Sequence, residues 1–169
     1  MVFLDESAAK TNLTRLRGRA PRGRRLLAKA PHGHWRTTTM ISSVRLDGRT
    51  ACLTIDGATD LAVFHAYLRE VLGPSLRPGA SVIMDNLRPH KNEQTVALMA
   101  AAGASVRFLP AYSPDLNPIE MMWSKLKALL RAAAARTAEE LQRALAAALQ
   151  RVSPQDAAHW FAACGYRFI

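Results

Sequence analysis

The middle of the chain constrains the fold more than any other segment. Ser81–Asp85 is a short apolar run that ends in an acid, and such runs are typical of strands buried on both faces of a parallel sheet. A helix is predicted next, from Pro89 or Asn92 to about Ala102, and Ala104–Leu109 is a second apolar strand. Strand, helix and strand within about thirty residues predict a parallel βαβ crossover, which is expected to be right-handed.

The residues before this unit predict an antiparallel hairpin. Val2–Asp5 has the pattern of a short buried strand, and Trp35–Leu46 is rich in Thr, Ile, Val and Ser, which suits a strand. Asp47-Gly48 is a two-residue hairpin signal, and Thr50–Ile55 is the return strand. Lys10–His34 is rich in Gly, Pro and Arg, so a long loop or open hairpin is predicted between the first two strands.

Helices are predicted for much of the remaining sequence. Thr59 is predicted to cap a helix that runs to about residue 72, and a longer helix is predicted over 118–135. Thr137 and Glu140 form a capping box, which marks the start of another helix. Ser153-Pro154 begins the last one.

The order of these elements predicts the fold class. Strand, hairpin, helix, strand, helix, strand and helix is the order of the ribonuclease-H-like fold. We therefore expect an α/β protein with a mixed five-stranded sheet flanked by helices, extra C-terminal helices, and one domain over residues 1–169. In such a sheet the first and fourth strands lie side by side, so Asp5 and Asp85 are expected to meet at strand ends, where ligand sites gather.

Three acids predict a metal site. Asp5 and Asp85 each close an apolar run, and Glu120 follows Asp85 after thirty-four intervening residues, in the first turn of a predicted helix. Phosphodiester chemistry uses two Mg²⁺ ions to stabilise charge on the attacking and leaving oxygens, and Mg²⁺ prefers carboxylate oxygens. Each acid also has a structural interpretation, as a turn residue, a helix-dipole partner or an exposed strand end. Their shared placement favours the metal site.

Positive charge is concentrated in one segment. The net charge is +10, and no Asp or Glu lies between Glu6 and Asp47. Nine basic residues lie between positions 10 and 36: Lys10, Arg15, Arg17, Arg19, Arg22, Arg24, Arg25, Lys29 and Arg36. Such a run repels itself unless solvent or a polyanion neutralises it. A solvated basic loop is one interpretation, but the position directly after Asp5 favours nucleic acid as the partner.

The remaining composition limits the setting. Cys52 and Cys164 lie far apart and form neither a metal-binding spacing nor a disulfide framework, which favours a reducing cytoplasm. No apolar run has the length of a membrane span, and the first residues are too short and too acidic for a signal peptide. We therefore expect a cytoplasmic protein without a membrane partner.

Two segments carry a resemblance to a known family. MDNLRPHK and SPDLNPIEMMWSKLK resemble the catalytic core of bacterial insertion-sequence transposases of the mariner superfamily. More narrowly, they resemble the insertion-sequence 630 family, a group of DDE superfamily endonucleases whose second and third acids are also thirty-four residues apart. The segments FLDES, RLRGRAPRG, HGHWRTTT, RLDG and CGY are similar to this family too, so the resemblance covers nearly the whole chain.

The resemblance implies an activity. Asp5, Asp85 and Glu120 would be the catalytic triad that binds two Mg²⁺ (or Mn²⁺) ions. The enzyme would nick DNA at the terminal inverted repeats of a transposon, and the freed 3′-hydroxyl would then attack target DNA. A homodimer on DNA is implied, in the bacterial cytoplasm and associated with the nucleoid. Relatives carry N-terminal helix-turn-helix modules, and none is expected in this sequence. The chain could then be the second frame of a split gene, a decayed remnant or a separate catalytic domain, and a separate N-terminal polypeptide is a possible source of that recognition.

Further residues are candidates for accessory roles. Asn86 and His90 follow Asp85 closely and are candidates to contact phosphate or a metal-bound water, although turn and helix-start roles are the alternative. Trp123 is expected to pack in the core rather than stack on a base. Eight residues are candidate phosphate contacts: Arg15, Arg17, Arg19, Arg22, Arg24, Arg25, Lys125 and Lys127.

Two other functions remain open from the sequence. The chain could be a catalytically silent DNA-binding remnant of a transposase, which would bind DNA without metal-dependent cleavage. It could also be a different nuclease on the same fold, such as a ribonuclease H, which an RNA–DNA hybrid substrate would distinguish.

Overall fold

A computed structural model describes residues 1–87 and 89–166 of the chain. Its centre is a five-stranded sheet in the order β3-β2-β1-β4-β5. The strands are β1 (Val2–Lys10), β2 (Thr37–Arg45), β3 (Thr50–Asp56), β4 (Ser81–Met84) and β5 (Ser105–Phe108). β1, β2 and β3 pair antiparallel, whereas β4 pairs parallel to both β1 and β5. The predicted mixed five-stranded sheet, with its first and fourth strands adjacent, is confirmed.

Five α-helices flank the sheet. They are α1 (Leu61–Tyr67), α2 (Glu93–Ala101), α3 (Pro118–Ala133), α4 (Ala138–Leu149) and α5 (Pro154–Ala163). Single 3₁₀ turns at Pro89–Lys91 and Pro114–Leu116 precede α2 and α3. The predicted capping box of Thr137 and Glu140 is confirmed, and Ser153 forms a second one with Asp156. None of the helices in the described ranges is both long and apolar enough to cross a membrane.

Three predicted boundaries were wrong. β1 continues to Lys10 instead of ending at Asp5, because the residues beyond Asp5 pair with β2 as far as Lys10 opposite Thr37. The cap of α1 is Asp60 and not Thr59: the Asp60 carboxylate accepts a hydrogen bond from the Val63 amide at 2.8 Å. The α-helical part of this segment ends at Tyr67 instead of about residue 72, and the chain continues through a wider π-helical turn and a 3₁₀ turn to Ser75.

The core has two halves, one on each face of the sheet. Val2 and Leu4 of β1 face the α1 and α2 side, whereas Phe3 faces α3, α4 and α5. On that second side the rings of Phe3 and Phe161 meet edge to face, with centroids 5.2 Å apart. Because successive strand residues point to opposite faces, Asp5 lies on the same face as Phe3 and therefore under α3.

Candidate active site

Strand register brings the first two acids together. β1 and β4 are parallel with Val2 opposite Val82 and Phe3 opposite Ile83. Two more residues along each strand, the same register sets Asp5 opposite Asp85. β4 ends at Met84, so Asp85 is the first residue beyond the strand. Both acids therefore lie at the carboxyl end of the parallel pair, where open α/β sheets place their ligand sites.

The third acid comes from the first turn of α3. Pro118 is the first helical residue, a position where its missing N–H costs nothing, and Glu120 follows two residues later. One turn further on, the indole of Trp123 is buried against the sheet, and its Nε1–H donates a hydrogen bond to Oδ2 of Asp5 at 3.2 Å. This contact joins the helix that carries Glu120 to the strand that carries Asp5.

All three acids line one cavity of about 340 Å³. Asn86 and Asn117 add two amide side chains to its wall. In the described part of the chain, the Oδ1 atoms of both amides are buried without a hydrogen-bond partner. The rest of the lining is mostly apolar and consists of Leu87, Leu109, Pro110, Ala111, Tyr112, Ser113 and Pro114. The cavity thus combines anionic and neutral oxygen donors with a mostly apolar lining.

The electrostatics of Asp5 reflect this crowding. Burial is the main reason why the pKa of Asp5 rises to about 7, and the charges of Glu120 and Asp85 raise it further. The Glu6 backbone amide and the Trp123 indole act in the opposite direction but do not cancel the effect. A carboxyl group in this condition favours either a proton or a cation.

Asp85 has the opposite environment. Burial pushes its pKa upward, but the hydrogen bond from His90, the charge of His90 and the Leu87 amide hold the pKa of Asp85 below its ordinary value. The two side chains are 2.5 Å apart between His90 Nδ1 and Asp85 Oδ1. Burial would lower the pKa of His90, yet its hydrogen bonds to Asp85 and Glu6 and their charges raise it to about 9. Asp85 is therefore ionised and held in place by an imidazolium.

The donor set fits divalent hard cations. Asp5, Asp85 and Glu120 supply carboxylate oxygens, and Asn86 and Asn117 supply buried, unsatisfied amide oxygens. Among residues 1–87 and 89–166, no three His, Cys, Asp or Glu side chains are already gathered closely enough to hold an ion by themselves. Mg²⁺ seldom uses such an all-protein cage: it keeps several waters and shares one or two carboxylates with substrate phosphates.

The other predicted site residues are placed as follows. Asn86 lines the cavity, whereas His90 is only 3% exposed and lies behind Asp85 rather than open to a phosphate. Trp123 packs in the core, as expected from the sequence, but it also contacts Asp5. Lys127 is half-buried on α3.

Lys125 is engaged within the protein. Its Nζ donates to Asp156 Oδ2 at 2.5 Å and to the Arg151 carbonyl at 2.7 Å. Those hydrogen bonds compete with the phosphate contact that the sequence suggested.

The six candidate arginines lie on an exposed arm. We define the basic arm as residues 12–35; the whole of it lies in the described part of the chain, and it contains no helix or strand. The residues that flank it, Thr11 and Arg36, are joined by two hydrogen bonds of 3.1 Å. The Thr11 amide donates to the Arg36 carbonyl, and the Arg36 amide donates to the Thr11 hydroxyl oxygen. Arg136 supports the base by donating to the Thr11 and Leu13 carbonyls. All six arginines are exposed: Arg15, Arg17, Arg19, Arg22, Arg24 and Arg25.

Three contributions to the site were missed from the sequence. Glu6 points away from the cavity toward His90, with 3.8 Å between Glu6 Oε1 and His90 Nε2. Asn117 reaches the cavity from the start of α3, and Trp123 reaches Asp5. The spacing of Trp123, one helical turn after Glu120, was a signal that it shares the face of α3 turned toward Asp5. Glu6 gave no comparable signal, because its partner is distant in sequence.

The fold and the cavity define an α/β domain suited to phosphodiester chemistry with divalent ions. A family model for the DDE superfamily endonucleases matches residues 1–142, and the chain belongs to that family. The DDE endonuclease identity that the sequence motifs implied is thereby confirmed. A comparison with curated proteins found no match.

Solved structures of the Mos1 mariner transposase share the fold. The strand transfer complex superposes with a TM-score of 0.69 at 18% identity, over 95% of this chain and 50% of that chain. The paired-end complex with the left transposon end has a TM-score of 0.71 at 19% identity, over 95% of this chain and 51% of that chain. The paired-end complex with Mn has a TM-score of 0.66 at 18% identity, over 95% of this chain and 51% of that chain. The predicted ribonuclease-H-like fold is confirmed, and this chain spans about half the length of the Mos1 chains.

Proposed function

We propose that this chain is the catalytic domain of a transposase of the insertion-sequence 630 family in the mariner superfamily. It nicks DNA at the inverted repeats of transposon ends and joins the freed 3′-hydroxyl to target DNA. The observation that carries this proposal is the cavity shared by Asp5, Asp85 and Glu120 at the carboxyl end of two parallel strands. Membership of the DDE endonucleases and the Mos1 complexes with transposon ends support it.

The three carboxylates and the two cavity amides are the groups that would hold two Mg²⁺ or Mn²⁺ ions. Mos1 has been solved in complexes with both metals, which supports the choice of ion. When bound, the ions would offset charge on the scissile phosphate and make the attacking oxygen more nucleophilic. The same cavity serves both steps, since each is a displacement at phosphorus.

The protein itself contributes the positions of the acids. His90 and the Leu87 amide fix Asp85, and Trp123 fixes Asp5. Leu109, Pro110 and Pro114 line the cavity beside the acids. In this setting an oriented carboxylate loses little freedom when a DNA phosphate arrives, which lowers the barrier.

DNA is the proposed partner. The basic arm presents six exposed arginines beside the sheet that carries Asp5, so it is suited to bind phosphates. Because two transposon ends must be cut and joined, we further propose a homodimer on DNA, in the bacterial cytoplasm and nucleoid.

A nicking assay tests the activity. Purified protein is incubated with supercoiled plasmid carrying the element's ends, with Mg²⁺, Mn²⁺ or EDTA. Wild type is expected to nick only with metal, and Asp85→Ala and Glu120→Ala to lose at least about a hundredfold in rate, because each removes a charge from the site. Undiminished nicking by both variants would refute the proposal.

The same assay separates the two alternatives. Salt-sensitive DNA binding with no cleavage, even with Mn²⁺ and a supplied recognition domain, would identify a silent DNA-binding remnant. Preferential cutting of an RNA–DNA hybrid would identify another ribonuclease-H-like nuclease.

A further inference from the structure

Two protein donors converge on one oxygen of Asp85. His90 Nδ1 lies 2.5 Å from Oδ1, and the Leu87 amide donates to the same atom at 3.2 Å. Within the described residues no donor is hydrogen bonded to Oδ2. Because Asp85 lines the cavity, the protein uses one carboxylate oxygen and leaves the other for a ligand.

Asp5 is held in a similar way from the other side of the sheet. Trp123 Nε1–H donates to Asp5 Oδ2 at 3.2 Å, and Asp5 lines the same cavity as Asp85. The two donors come from different elements: Trp123 from α3, and His90 from the 3₁₀ turn that follows β4. Each strand carboxylate therefore has its own side-chain donor.

Both donors are themselves rigid. Trp123 is 1% exposed in the core between α3 and the sheet. His90 stacks on Phe64 of α1, with ring centroids 4.6 Å apart and an interplanar angle of 24°. Its far nitrogen, Nε2, faces Glu6 at 3.8 Å, so the ring is held on three sides. Donors that cannot move hold an acceptor in one rotamer with little further loss of entropy.

We propose that Trp123 and His90 are positioning residues that make Asp5 and Asp85 single-oxygen ligands of the metal site. This inference rests on the proposed function and concerns the residues that hold its metal ligands in place. His90 and the Leu87 amide together fill the lone pairs of Asp85 Oδ1, so Oδ2 is the oxygen that an ion can take. The Trp123 donor on Oδ2 of Asp5 likewise favours Oδ1 for an ion. Loss of an outer donor of this kind costs 10–100-fold in metal affinity or activity, on the order seen for metal sites generally.

The position of Trp123 gives it a second effect. It lies one helical turn after Glu120, so its hydrogen bond fixes α3, and with it Glu120, relative to Asp5. Removing the indole N–H is therefore expected to disturb the positions of two of the three acids.

Metal binding and catalysis test this inference with paired substitutions. Trp123→Phe keeps an aromatic ring but removes the donor. His90→Asn keeps a donor where Nδ1 lies, toward Asp85, whereas His90→Gln moves the donor toward Glu6. Two controls carry the same chemical changes elsewhere: Trp160→Phe on α5, and His65→Asn, whose ring is buried and bonded to Thr95 at 3.1 Å.

Mn²⁺ binding to the DNA-free protein is measured by electron paramagnetic resonance, and the Mg²⁺ concentration for half-maximal nicking is measured separately. Trp123→Phe and His90→Gln are expected to weaken Mn²⁺ binding and to raise the half-maximal Mg²⁺ concentration, each by about tenfold or more. His90→Asn and both controls are expected to stay close to wild type. A packing defect alone would lower the unfolding temperature, and His90→Asn and His90→Gln would then show the same Mn²⁺ binding.

Two outcomes would overturn the inference, and they differ in what else they overturn. If wild type binds Mn²⁺ and nicks DNA while Trp123→Phe and His90→Gln match it within twofold, the positioning role is wrong and the proposed function stands. If wild type neither binds Mn²⁺ nor nicks DNA, the proposed function fails and this inference fails with it.

Discussion

At the residue scale, Asp5 shows how a site opposes stability. Burial and neighbouring charges raise its pKa from 3.8 to about 7. Between about pH 4 and pH 7 the folded protein therefore binds more protons than the unfolded chain, so stability falls as pH rises through that window. Above pH 7, metal-free protein carries the full cost of an ionised, buried carboxylate.

Asp5→Asn should therefore stabilise the metal-free protein while removing its activity. We expect the free energy of unfolding to rise by about 1–3 kcal/mol at pH 8, and the gain to shrink toward pH 4 because wild-type Asp5 is then protonated. Urea unfolding in EDTA at both pH values measures this. Asp115→Asn, at an exposed position, should show no such pH-dependent gain. A variant no more stable than wild type at pH 8 would show that Asp5 is not under electrostatic stress.

Single residues were only partly predictable from the sequence. Asp5 and Asp85 could be found because each closes an apolar run, a local pattern. The contact of Trp123 with Asp5 spans 118 positions, and that of His90 with Glu6 joins the turn after β4 to the neighbouring strand β1. Such contacts depend on the register of β1 against β4, which no local pattern records.

At the scale of elements, helix starts and buried strands were predictable, and strand extensions were not. The capping box at Thr137 and the apolar run of β4 are local signals and both were confirmed. Beyond Phe3, β1 pairs only with β2, and this part of the strand carries no apolar run. It forms a strand through that tertiary pairing and not through a local sequence signal. The wide turn after α1 likewise follows from packing of Leu68 and Leu72 in the core.

Lys125 illustrates how an element can change a residue's role. It joins α3 to the start of α5, where Asp156 also completes the capping box with Ser153. The hydrogen bond from Lys125 is the largest reason why the pKa of Asp156 falls to about 2. The contact ties together the two helices that cover Phe3, so its main effect is expected to be on stability.

Lys125→Gln is expected to lower the free energy of unfolding by about 1 kcal/mol, since it removes an ion pair and a hydrogen bond to a carbonyl. The salt dependence of DNA binding should stay unchanged. Lys127→Gln, two residues along the same helix, is the matched control and should change DNA binding more than stability. Urea unfolding and fluorescence anisotropy at several salt concentrations separate the two. A reduced salt slope for Lys125→Gln with unaltered stability would restore its role as a phosphate contact.

At the scale of the whole molecule, the acidic cavity and the basic arm lie at different places along one sheet. The acids lie where β1 and β4 run in parallel, and the basic arm connects β1 to β2 directly beyond them. β1 therefore carries a ligand of the proposed metal site and leads into the arm. Under the proposed function, this separation would let a basic protein attract DNA broadly while only the cavity met the scissile phosphate.

The arm should contribute to DNA affinity through its position and not only through net charge. The triple variant Arg22→Gln, Arg24→Gln, Arg25→Gln lowers the net charge from +10 to +7. If the arm binds the backbone, each lost phosphate contact removes about 0.9 from the slope of log affinity against log salt, so the slope should fall by about 2–3. Anisotropy with a labelled duplex between low and moderate salt measures the slope.

A second triple variant makes this test specific. Arg49→Gln, Arg69→Gln, Arg77→Gln removes the same charge from the β2–β3 turn, the π-helical turn after α1 and the loop before β4, all outside the arm. Its slope should stay close to that of wild type, because screening limits the reach of exposed charges to about 8–10 Å. Equal losses in both triples would mean that net charge alone drives binding and that the arm has no special contact with DNA. A loss confined to the arm triple, with Mn²⁺ binding intact, would separate DNA capture by the arm from metal binding in the cavity.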